Sequence, residues 1–480
     1  MNIEHNLKDP SSIYYLGPEY ERLLDFRGQD TATINKERID RLTDFHNHYY
    51  SYMYAALFLK QVKVQWEKEG YPIDKRPEIL ATLFNVGYPQ SKPKPNPRVG
   101  GSTIKIYEKP YSFGAIAYQF YYSGELFDLF PFEVWAKLNA AFWRKPDLQQ
   151  LCYGDPAGDA RLRGMIAAYL RSSRGMQCTA EQIVITSGAQ QGISLCAQLL
   201  VESGDGVAIE NPGYRAAGHA FAVAGARLQG VAVDSEGIDC NALATYSHCR
   251  LAYVTPSHQY PTGVVMSLAR RLELLAWAER NQGWIVEDDY DGEYRYTGAP
   301  LAPLAALDRQ GRVLYVGTFG KVAFPALRLG YLVLPPGLVD AFSRRRAVDV
   351  RHSEVSTQAV MAEFMAAGHF QRHIRRMRRA ALSRRNTLMA DWPQGICGVG
   401  QLPSVAAGLH LTVAVDTAAR EQELIEKAAR VDVEINPLSS YWLPDSQTPL
   451  DQRAGLVLGF AAVPEADIRA ALARLNKAWR

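Results

Sequence analysis

Two neighbouring stretches decide the fold: WIVEDDY at residues 284–290 and VLYVGTFGK at residues 313–321. In each stretch a short apolar run leads directly into polar residues, which is typical of a buried strand that ends at a functional edge. The upstream runs GVAIE and LAYVTPSH have the same form, and longer helical stretches separate all four runs. This alternation predicts an α/β fold with a largely parallel sheet, in which ligands lie at the carboxyl ends of the strands.

Length and composition limit the class of protein. The chain has 480 residues, 47% hydrophobic and 21% charged, which is ordinary for a globular protein of two or three domains. Its net charge of +3 indicates no global attraction to nucleic acid. The opening residues MNIEHNLKDPSSIYY lack the order of a secretory leader, and no run approaches the roughly 18 apolar residues of a membrane helix. We therefore expect a cytoplasmic protein without membrane contact.

The six cysteines form no CxxC pair and show no metal-ligand spacing. Because they fall in apolar or helical-looking stretches, we expect buried free thiols and no metal site. The set comprises Cys152, Cys178, Cys196, Cys240, Cys249 and Cys397.

Residues 1–125 are rich in tyrosine and largely helical by pattern. Apolar residues near helical spacing predict a helix over residues 53–69, and a leading proline favours a second helix over residues 77–84. Alternating prolines in SKPKPNPRVGG, residues 91–101, predict a loop because they remove backbone donors. His46 and His48 stand two residues apart, and a metal site there is the lesser alternative. We expect a mainly helical N-terminal domain whose role the sequence does not reveal.

Six motifs follow in order: LCYGDPAGDARLR, ITSGAQQG, ENPGYR, YVTPSHQYPTG, IVEDDYDGEYRY and VGTFGKVAFPALRLGY. In order and spacing they resemble the aminotransferase-type domain of the MocR/GabR family of bacterial regulators, over about three quarters of the chain. The resemblance implies an α/β fold of type I pyridoxal-phosphate aminotransferases over residues 126–480. That fold has a large domain with a mostly parallel sheet and a small C-terminal domain, and its cofactor is pyridoxal 5'-phosphate.

Lys321 follows an apolar strand and the turn GTFG, which suits an amine held in a cleft as a nucleophile toward an aldehyde. The resemblance assigns Asp288 to the pyridine nitrogen of the cofactor and Tyr290 to its ring hydroxyl. A carboxylate beside that nitrogen keeps it protonated, so that the ring accepts electrons from a substrate carbanion. The acidic run EDDYDGE leaves a magnesium site as the lesser alternative.

Ser187 and Gly188 precede a predicted helix that runs to about Leu200. The backbone donors of Gly188, Ala189 and Gln190 would then lie at a helix N-terminus, which suits a phosphate group.

The resemblance adds further contacts. It implies that Thr318 and Arg328 complete the phosphate site, although a plain surface cation is the alternative for Arg328. It places Tyr214 of ENPGYR against the cofactor ring. It also implies that Tyr153 reaches the phosphate of a neighbouring subunit, and therefore that the protein is a homodimer.

Three positions depart from the pattern of the family. Gly320 stands where many members carry a serine, and Tyr260 stands where metabolic aminotransferases place an asparagine before PTG. Val457 occupies about the position of the arginine that binds the substrate carboxylate in many aminotransferases. Arg453 is the remaining candidate for that role.

The N-terminal region departs most from the pattern of the MocR/GabR family. MocR/GabR proteins begin with a winged helix-turn-helix, and residues 1–125 do not show its pattern, so we do not expect DNA binding from this region. The basic stretch HFQRHIRRMRRAALSRR, residues 369–385, predicts a helix with a solvated arginine face rather than a nucleic-acid site.

Two functional hypotheses follow. The first is an enzyme that transfers an amino group between an amino acid and a 2-oxo acid. The second is a regulator whose cofactor domain senses an amine effector. A third alternative is a fusion of a truncated cell-wall domain with a truncated regulator, suggested by the abrupt change of character near Glu125.

Overall fold

The computed structural model of the chain divides into two compact units, Met1–Ser123 and Gly124–Arg480. The structure describes residues 2–26, 30–43, 49–73, 77–86, 91–94, 103–106, 109–112, 129–148, 150–246, 248–298 and 301–480. His46, His48 and most of the proline-rich stretch, from residue 95 onward, lie outside the described residues.

The first unit is helical, with one pair of antiparallel strands, in its described part. The elements are α1 Asn2–Lys8, α2 Thr31–Thr43, α3 Tyr49–Lys68, α4 Pro77–Val86, β1 Thr103–Ile106 and β2 Lys109–Ser112. Helix α3 packs on α4 because Val62 and Trp66 are buried against Ile79 and Leu83. The two helices expected from the sequence are confirmed, each within a few residues of the predicted bounds.

The second unit is built on an eight-stranded sheet with the order β3-β10-β9-β8-β7-β4-β5-β6. Its strands are β3 Ile183–Thr186, β4 Gly206–Asn211, β5 Arg227–Asp234, β6 Gly237–Ile238, β7 Cys249–Val254, β8 Trp284–Asp289, β9 Val313–Thr318 and β10 Gly330–Val333. Strands β5, β4, β7, β8 and β9 run parallel to one another, and β10 is antiparallel to both of its neighbours.

Two helices precede β3 and further helices follow most of the strands, as the alternating pattern predicted. They are α5 Phe132–Arg144, α6 Ala160–Arg174, α7 Ala189–Leu200, α8 Arg215–Val223, α9 Cys240–Ala244, α10 Leu268–Asn281, α11 Leu304–Leu307 and α12 Val339–Asp349. Because helices cover both faces of the sheet, the central strands are buried on both sides and consist of continuous apolar runs.

The remaining residues form a helical connection and a small antiparallel sheet with the order β11-β13-β12. Their elements are α13 Val355–Ala366, α14 His369–Ala390, β11 His410–Ala414, α15 Ala418–Arg430, β12 Asn436–Pro437, β13 Gly455–Gly459 and α16 Glu465–Trp479. Helix α14 is the predicted basic helix, and it buries Phe370, Ile374 and Met377. The α/β fold with a large sheet and a small C-terminal part is therefore confirmed.

All six cysteines are free, but their burial differs from the expectation. Cys178, Cys196 and Cys249 are buried and Cys240 is half-buried, whereas Cys152 and Cys397 are exposed. The prediction of burial is wrong for these last two because they lie in turns outside the sheet core.

Among the described helices, none combines the length and the apolar character that a bilayer crossing requires.

Candidate functional site

The site lies where β7, β8 and β9 end. Lys321 follows β9 after a turn and is half-buried. The Tyr294 hydroxyl donates a hydrogen bond of 2.7 Å to the backbone oxygen of Lys321, which fixes the chain at this point. The charge of Lys321 acts on both Asp288 and His410, so these side chains surround one region.

Asp288, at the end of β8, is fully buried and only half satisfied. The Tyr253 hydroxyl donates to Oδ2 of Asp288 at 2.6 Å, while Oδ1 has no hydrogen-bond partner. Burial raises the pKa of Asp288 to about 7, against the lowering effect of the Tyr253 hydrogen bond and of the Lys321 charge. A buried carboxyl oxygen without a donor favours a cationic or protonated group beside it.

Asp289, the next residue of β8, faces the other side of the sheet. Its Oδ2 lies 2.9 Å from Nη2 of Arg174 and accepts a hydrogen bond of 2.5 Å from Tyr315. Nearby, the Tyr169 hydroxyl donates to Glu293 at 2.8 Å. This second acid is therefore part of a buried ion pair, away from the functional edge.

The residues predicted to bind a phosphate lie at and around the start of α7. Gly188 caps this helix with φ +89°, and Ala189 and Gln190 are its first two residues. Nη2 of Arg328 donates to the backbone oxygen of Ser187 at 2.8 Å, which brings a cation to the helix N-terminus. Arg328 is exposed, and this hydrogen bond joins it to the start of α7.

Two strands approach this helix start closely. Gly330 of β10 pairs with Thr318 of β9, and a Cβ at Gly330 would lie 2.8 Å from the carbonyl carbon of Gly188. The Gly320 N–H donates to Oγ1 of Thr318 at 3.1 Å. Because residue 330 is a glycine, the backbone of β10 can lie against that of Gly188 at the start of α7. Thr318, which pairs with Gly330, and Gly188 therefore lie close to each other at the same edge of the sheet.

Tyr214 lies between the helix start and the strand ends. It precedes α8, its ring is half-buried, and its hydroxyl lies 3.4 Å from the Gln190 side-chain oxygen. Its ring meets that of Tyr260 edge to face, with centroids 5.9 Å apart. The charges of Asp288 and Arg328 both act on Tyr214, so it lies between these two predicted site residues.

Tyr153 stands apart from this group. Its side chain is 78% exposed, and its ring lies under the guanidinium of Arg351 at 4.3 Å. Within one chain the structure therefore does not bring Tyr153 to the other predicted site residues.

Sequence reasoning missed a buried cluster of His258, Asp291 and His410, whose polar atoms lie within 4.8 Å of one another. Nδ1 of His258 lies 2.9 Å from Asp291, and Nε2 of His410 lies 3.0 Å from the Pro261 backbone oxygen. Each histidine thus has a hydrogen-bond acceptor within the protein, and the three residues form a hydrogen-bonded cluster. His258 and Asp291 lie in two motifs already noticed, whereas nothing near His410 indicated a role.

Tyr441 was also missed. Its hydroxyl accepts a hydrogen bond of 3.0 Å from Tyr260, the residue at the unusual position before PTG. Its backbone oxygen accepts from the N–H of Gly213, beside Tyr214. The loop before β13 therefore covers the aromatic side of the site.

The candidate for the substrate carboxylate does not face this region. Arg453 donates to the backbone oxygens of Thr448 and Ser446, so its own loop occupies its guanidinium. Val457 is buried within β13. Neither Arg453 nor Val457 therefore presents a positively charged group that could bind the carboxylate of a substrate.

Residues 125–426 match the family model described as aminotransferase class I and II. The probable rhizopine catabolism regulatory protein MocR of Rhizobium meliloti is 37% identical over 351 residues, 73% of this chain and 70% of its own. The uncharacterized HTH-type transcriptional regulator YhdI of Bacillus subtilis is 30% identical over 474 residues, 96% of each chain.

Among solved structures, Pyrococcus horikoshii kynurenine aminotransferase is similar, with a TM-score of 0.65 and 27% identity over 73% of this chain and 87% of its own. That structure is a complex with PMP and kynurenine. The α-aminoadipate aminotransferase LysN of Thermus thermophilus, complexed with a phosphopyridoxyl leucine, is 25% identical with a TM-score of 0.65, over 73% of this chain and 89% of its own.

Proposed function

We propose, from the premise that this chain belongs to the class I and II aminotransferase family, that Lys321 holds pyridoxal 5'-phosphate for amino-group transfer. The transfer runs between an amino acid and a 2-oxo acid. The observation that carries the proposal is Asp288, a buried carboxyl with one oxygen that lacks a donor, at the strand end next to that of Lys321.

The residues present fit the cofactor. Oδ1 of Asp288 suits a protonated ring nitrogen, because that nitrogen supplies the missing donor and positive charge. Tyr290 is assigned to the ring hydroxyl and Tyr214 to the ring face. For the phosphate we assign the start of α7 and its surroundings: Ser187, Gly188, Ala189, Gln190, Thr318 and Arg328.

When bound, the cofactor accepts the electron pair released as the substrate loses its Cα proton. The chain supplies the rest. The Lys321 amine carries that proton, and Asp288 holds the proton of the ring nitrogen. Arg328 and the dipole of α7 balance the phosphate charge.

The proposed site extends to a second subunit. The exposed Tyr153 would contact the phosphate of the neighbouring copy, as the family resemblance implies. Exposed apolar residues close to it in sequence, Leu148 and Leu151, favour an interface on this surface. Sedimentation of the full chain should then give a dimer, and Tyr153→Ala should weaken cofactor binding without removing it.

The decisive experiment compares the visible absorption spectra of the full chain and of Lys321→Ala after incubation with pyridoxal phosphate. We expect a visible band that only the wild-type chain shows, because only Lys321 joins the cofactor covalently. A panel of amino acids should then abolish the band and yield the matching 2-oxo acid. A wild-type chain without any Lys321-dependent band would refute the cofactor site.

A second candidate function is amine sensing by a transcription regulator. The specific observation is the relative YhdI, titled an HTH-type regulator, which aligns over 96% of this chain and therefore over most of the first unit as well. A sensor should show a band that shifts with an amine and then persists, together with DNA retention that depends on that amine. Turnover to a 2-oxo acid without DNA retention would favour the enzyme.

A further inference from the structure

Beside the proposed cofactor site lies a group of three side chains, the buried His258 and Asp291 and the half-buried Tyr290. Nδ1 of His258 lies 2.9 Å from Oδ2 of Asp291 and 3.1 Å from the Tyr290 hydroxyl. The same hydroxyl lies 2.9 Å from the backbone oxygen of His258, to which it can donate. The His258 side chain is 2% exposed and that of Asp291 is fully buried.

These contacts determine where the hydrogens lie. A carboxylate and a backbone oxygen only accept, so the Tyr290 hydroxyl donates to the carbonyl and Nδ1 of His258 donates to Asp291. The Tyr290 oxygen then accepts a hydrogen bond from Nδ1–H of His258 with one lone pair. Its other lone pair is left for a group bound in the site. The orientation of His258 therefore determines the orientation of the Tyr290 hydroxyl.

The backbone holds the His258 ring from two further sides. Gly408 has φ +89°, and a Cβ there would lie 1.9 Å from Cε1 of His258. A Cβ at Gly263 would lie 3.2 Å from Nε2 of His258. The ring of His410 stacks obliquely on that of His258, with centroids 4.5 Å apart. The His258 ring therefore has little room to turn. A ring held in this way can fix the position of a neighbouring side chain such as Tyr290.

The charges around Tyr290 come from several elements. Asp291 follows it on the same loop, Asp288 precedes it on β8, and Lys321 lies on the neighbouring strand end. Tyr260, from the loop after β7, lies with its ring 6.0 Å from that of Tyr290. Burial raises the pKa of the Tyr290 phenol well above its ordinary value, and the negative charge of Asp291 adds to this effect.

His410, from β11, adds no positive charge. Burial lowers the pKa of His410 well below its ordinary value, and the neighbouring His258 and Lys321 lower it further. Asp291 and Asp288 are thus the carboxylates that act on Tyr290, and of these two Asp291 also shares His258 with it as a hydrogen-bond partner.

We propose that His258 and Asp291 are positioning residues that act through Tyr290, and that Asp291 raises the pH at which the cofactor bound at Lys321 loses its proton. The inference rests on the proposed binding of pyridoxal phosphate at Lys321. His258 keeps the Tyr290 oxygen facing the cofactor. A negative charge behind this oxygen stabilises the protonated, positively charged form of the bound group.

The test is a pH titration of the visible band of the full chain loaded with pyridoxal phosphate. Asp291→Asn keeps the shape of the side chain and removes its charge. The titration midpoint should fall by about one pH unit, a tenfold change in the protonation constant, because the protonated form loses its counter-charge. An unchanged midpoint would overturn the role of Asp291.

Glu287→Gln is the matched control. Glu287 is a buried acid of the same strand end, and its oxygens accept hydrogen bonds from the backbone of Leu304 and Ala305. Its loss should leave the midpoint where it is, even if the chain becomes less stable. A shift of equal size in this control would overturn a specific role for Asp291.

A second pair of variants tests the role of His258. If Asp291→Asn does not fold, this pair still tests whether Tyr290 is positioned through His258. His258→Ala should lower the midpoint, and His258→Asn should restore most of the difference because its amide can donate from near the position of Nδ1. Equal midpoints in the two variants would overturn positioning through Nδ1. In a Tyr290→Phe background the effect of Asp291→Asn should shrink by at least half, since the hydroxyl that transmits it is gone.

The two proposals fail in different ways. A wild-type chain without a Lys321-dependent band refutes the cofactor site itself. A wild-type band whose midpoint is insensitive to His258 and Asp291 leaves the cofactor site standing and refutes only this inference.

Discussion

Strand β8 ends in two consecutive aspartates that lie in opposite environments. Asp289 is paired with Arg174 and receives the Tyr315 hydroxyl, so a cation of the chain itself balances its charge. Asp288, one residue earlier, receives only the Tyr253 hydroxyl and forms no ion pair among the described residues, and each of the two acids keeps one oxygen without a hydrogen-bond partner. Both acids are buried, and side chains alternate between the two faces of a strand.

The difference separates an acid that is paired within the chain from the acid that we propose binds the cofactor. A buried charge is tolerated when it is paired, and an unpaired one costs free energy of folding. Of these two aspartates, the one without a paired cation is Asp288, on the face that meets Lys321. Pairing with a buried cation, rather than residue type, burial or the number of hydrogen bonds, distinguishes the two aspartates.

The largest effect should come from the structural face. Asp289→Asn leaves Arg174 buried without its closest counter-charge, and we expect the free energy of unfolding to fall by about 3 to 5 kcal/mol. Denaturant unfolding of the chain without cofactor measures this. A loss below about 1 kcal/mol would break the comparison, because Asp289 would then be as dispensable for stability as a surface acid.

The stability contribution of Asp288 should depend on pH. The pKa of Asp288 is about 7 in the folded chain and ordinary, 3.8, in the unfolded chain, so the folded chain binds the proton more tightly. The unfolding free energy of the cofactor-free protein therefore falls as pH rises from about 4 to about 7 and loses nothing more above 7.

Asp288→Asn removes this contribution to the pH dependence. At pH 8 we expect the cofactor-free variant to be more stable than the wild type by about 2 to 4 kcal/mol. Unfolding curves at pH 5 and pH 8 measure the difference, which should be smaller at pH 5. A variant less stable than the wild type at both pH values would contradict an unpaired Asp288.

The same substitution should weaken the cofactor site. An asparagine supplies no counter-charge to the ring nitrogen, and we expect the affinity for pyridoxal phosphate to fall about 100-fold. Titration of the visible band gives the dissociation constant. Asp289→Asn, assayed where it is folded, should change this constant far less.

The smallest effects should come from the two tyrosines that donate to these acids. Tyr253→Phe and Tyr315→Phe each remove one hydroxyl donor, and each should cost about 1 kcal/mol of stability. Only Tyr253→Phe should also change the visible band, because only its acid faces the cofactor. Equal spectra for the two variants would remove the distinction between the faces.

The strands and their polar ends were predictable from the sequence. The apolar runs before Asp288 and Lys321, and the glycine before α7, are local signals, and the structure places them at one edge of the sheet. The functional roles of these residues remain predictions. The resemblance to a known family supplied the cofactor, which no local pattern specifies.

The missed residues share a physical cause. His410 meets the Pro261 carbonyl across 149 residues of chain, and Tyr441 meets Tyr260 across 181. Contacts of this range depend on how the small antiparallel sheet packs against the large one, and no local periodicity encodes that packing. The cysteines show the converse, because apolar surroundings in sequence suggested burial for Cys152 and Cys397, which lie in exposed turns.

The hydrogen bond between Arg328 and Ser187 has a consequence for synthesis on the ribosome. Its partners are 141 residues apart. Strand β10, which follows Arg328 and lies between β3 and β9, is made last of the eight strands. At a translation rate of 5 to 20 residues per second, Ser187 waits roughly 7 to 28 seconds before Arg328 is added. The nascent chain must therefore keep β3 from pairing elsewhere during that time, because β10, its neighbour in the sheet, has not yet been made.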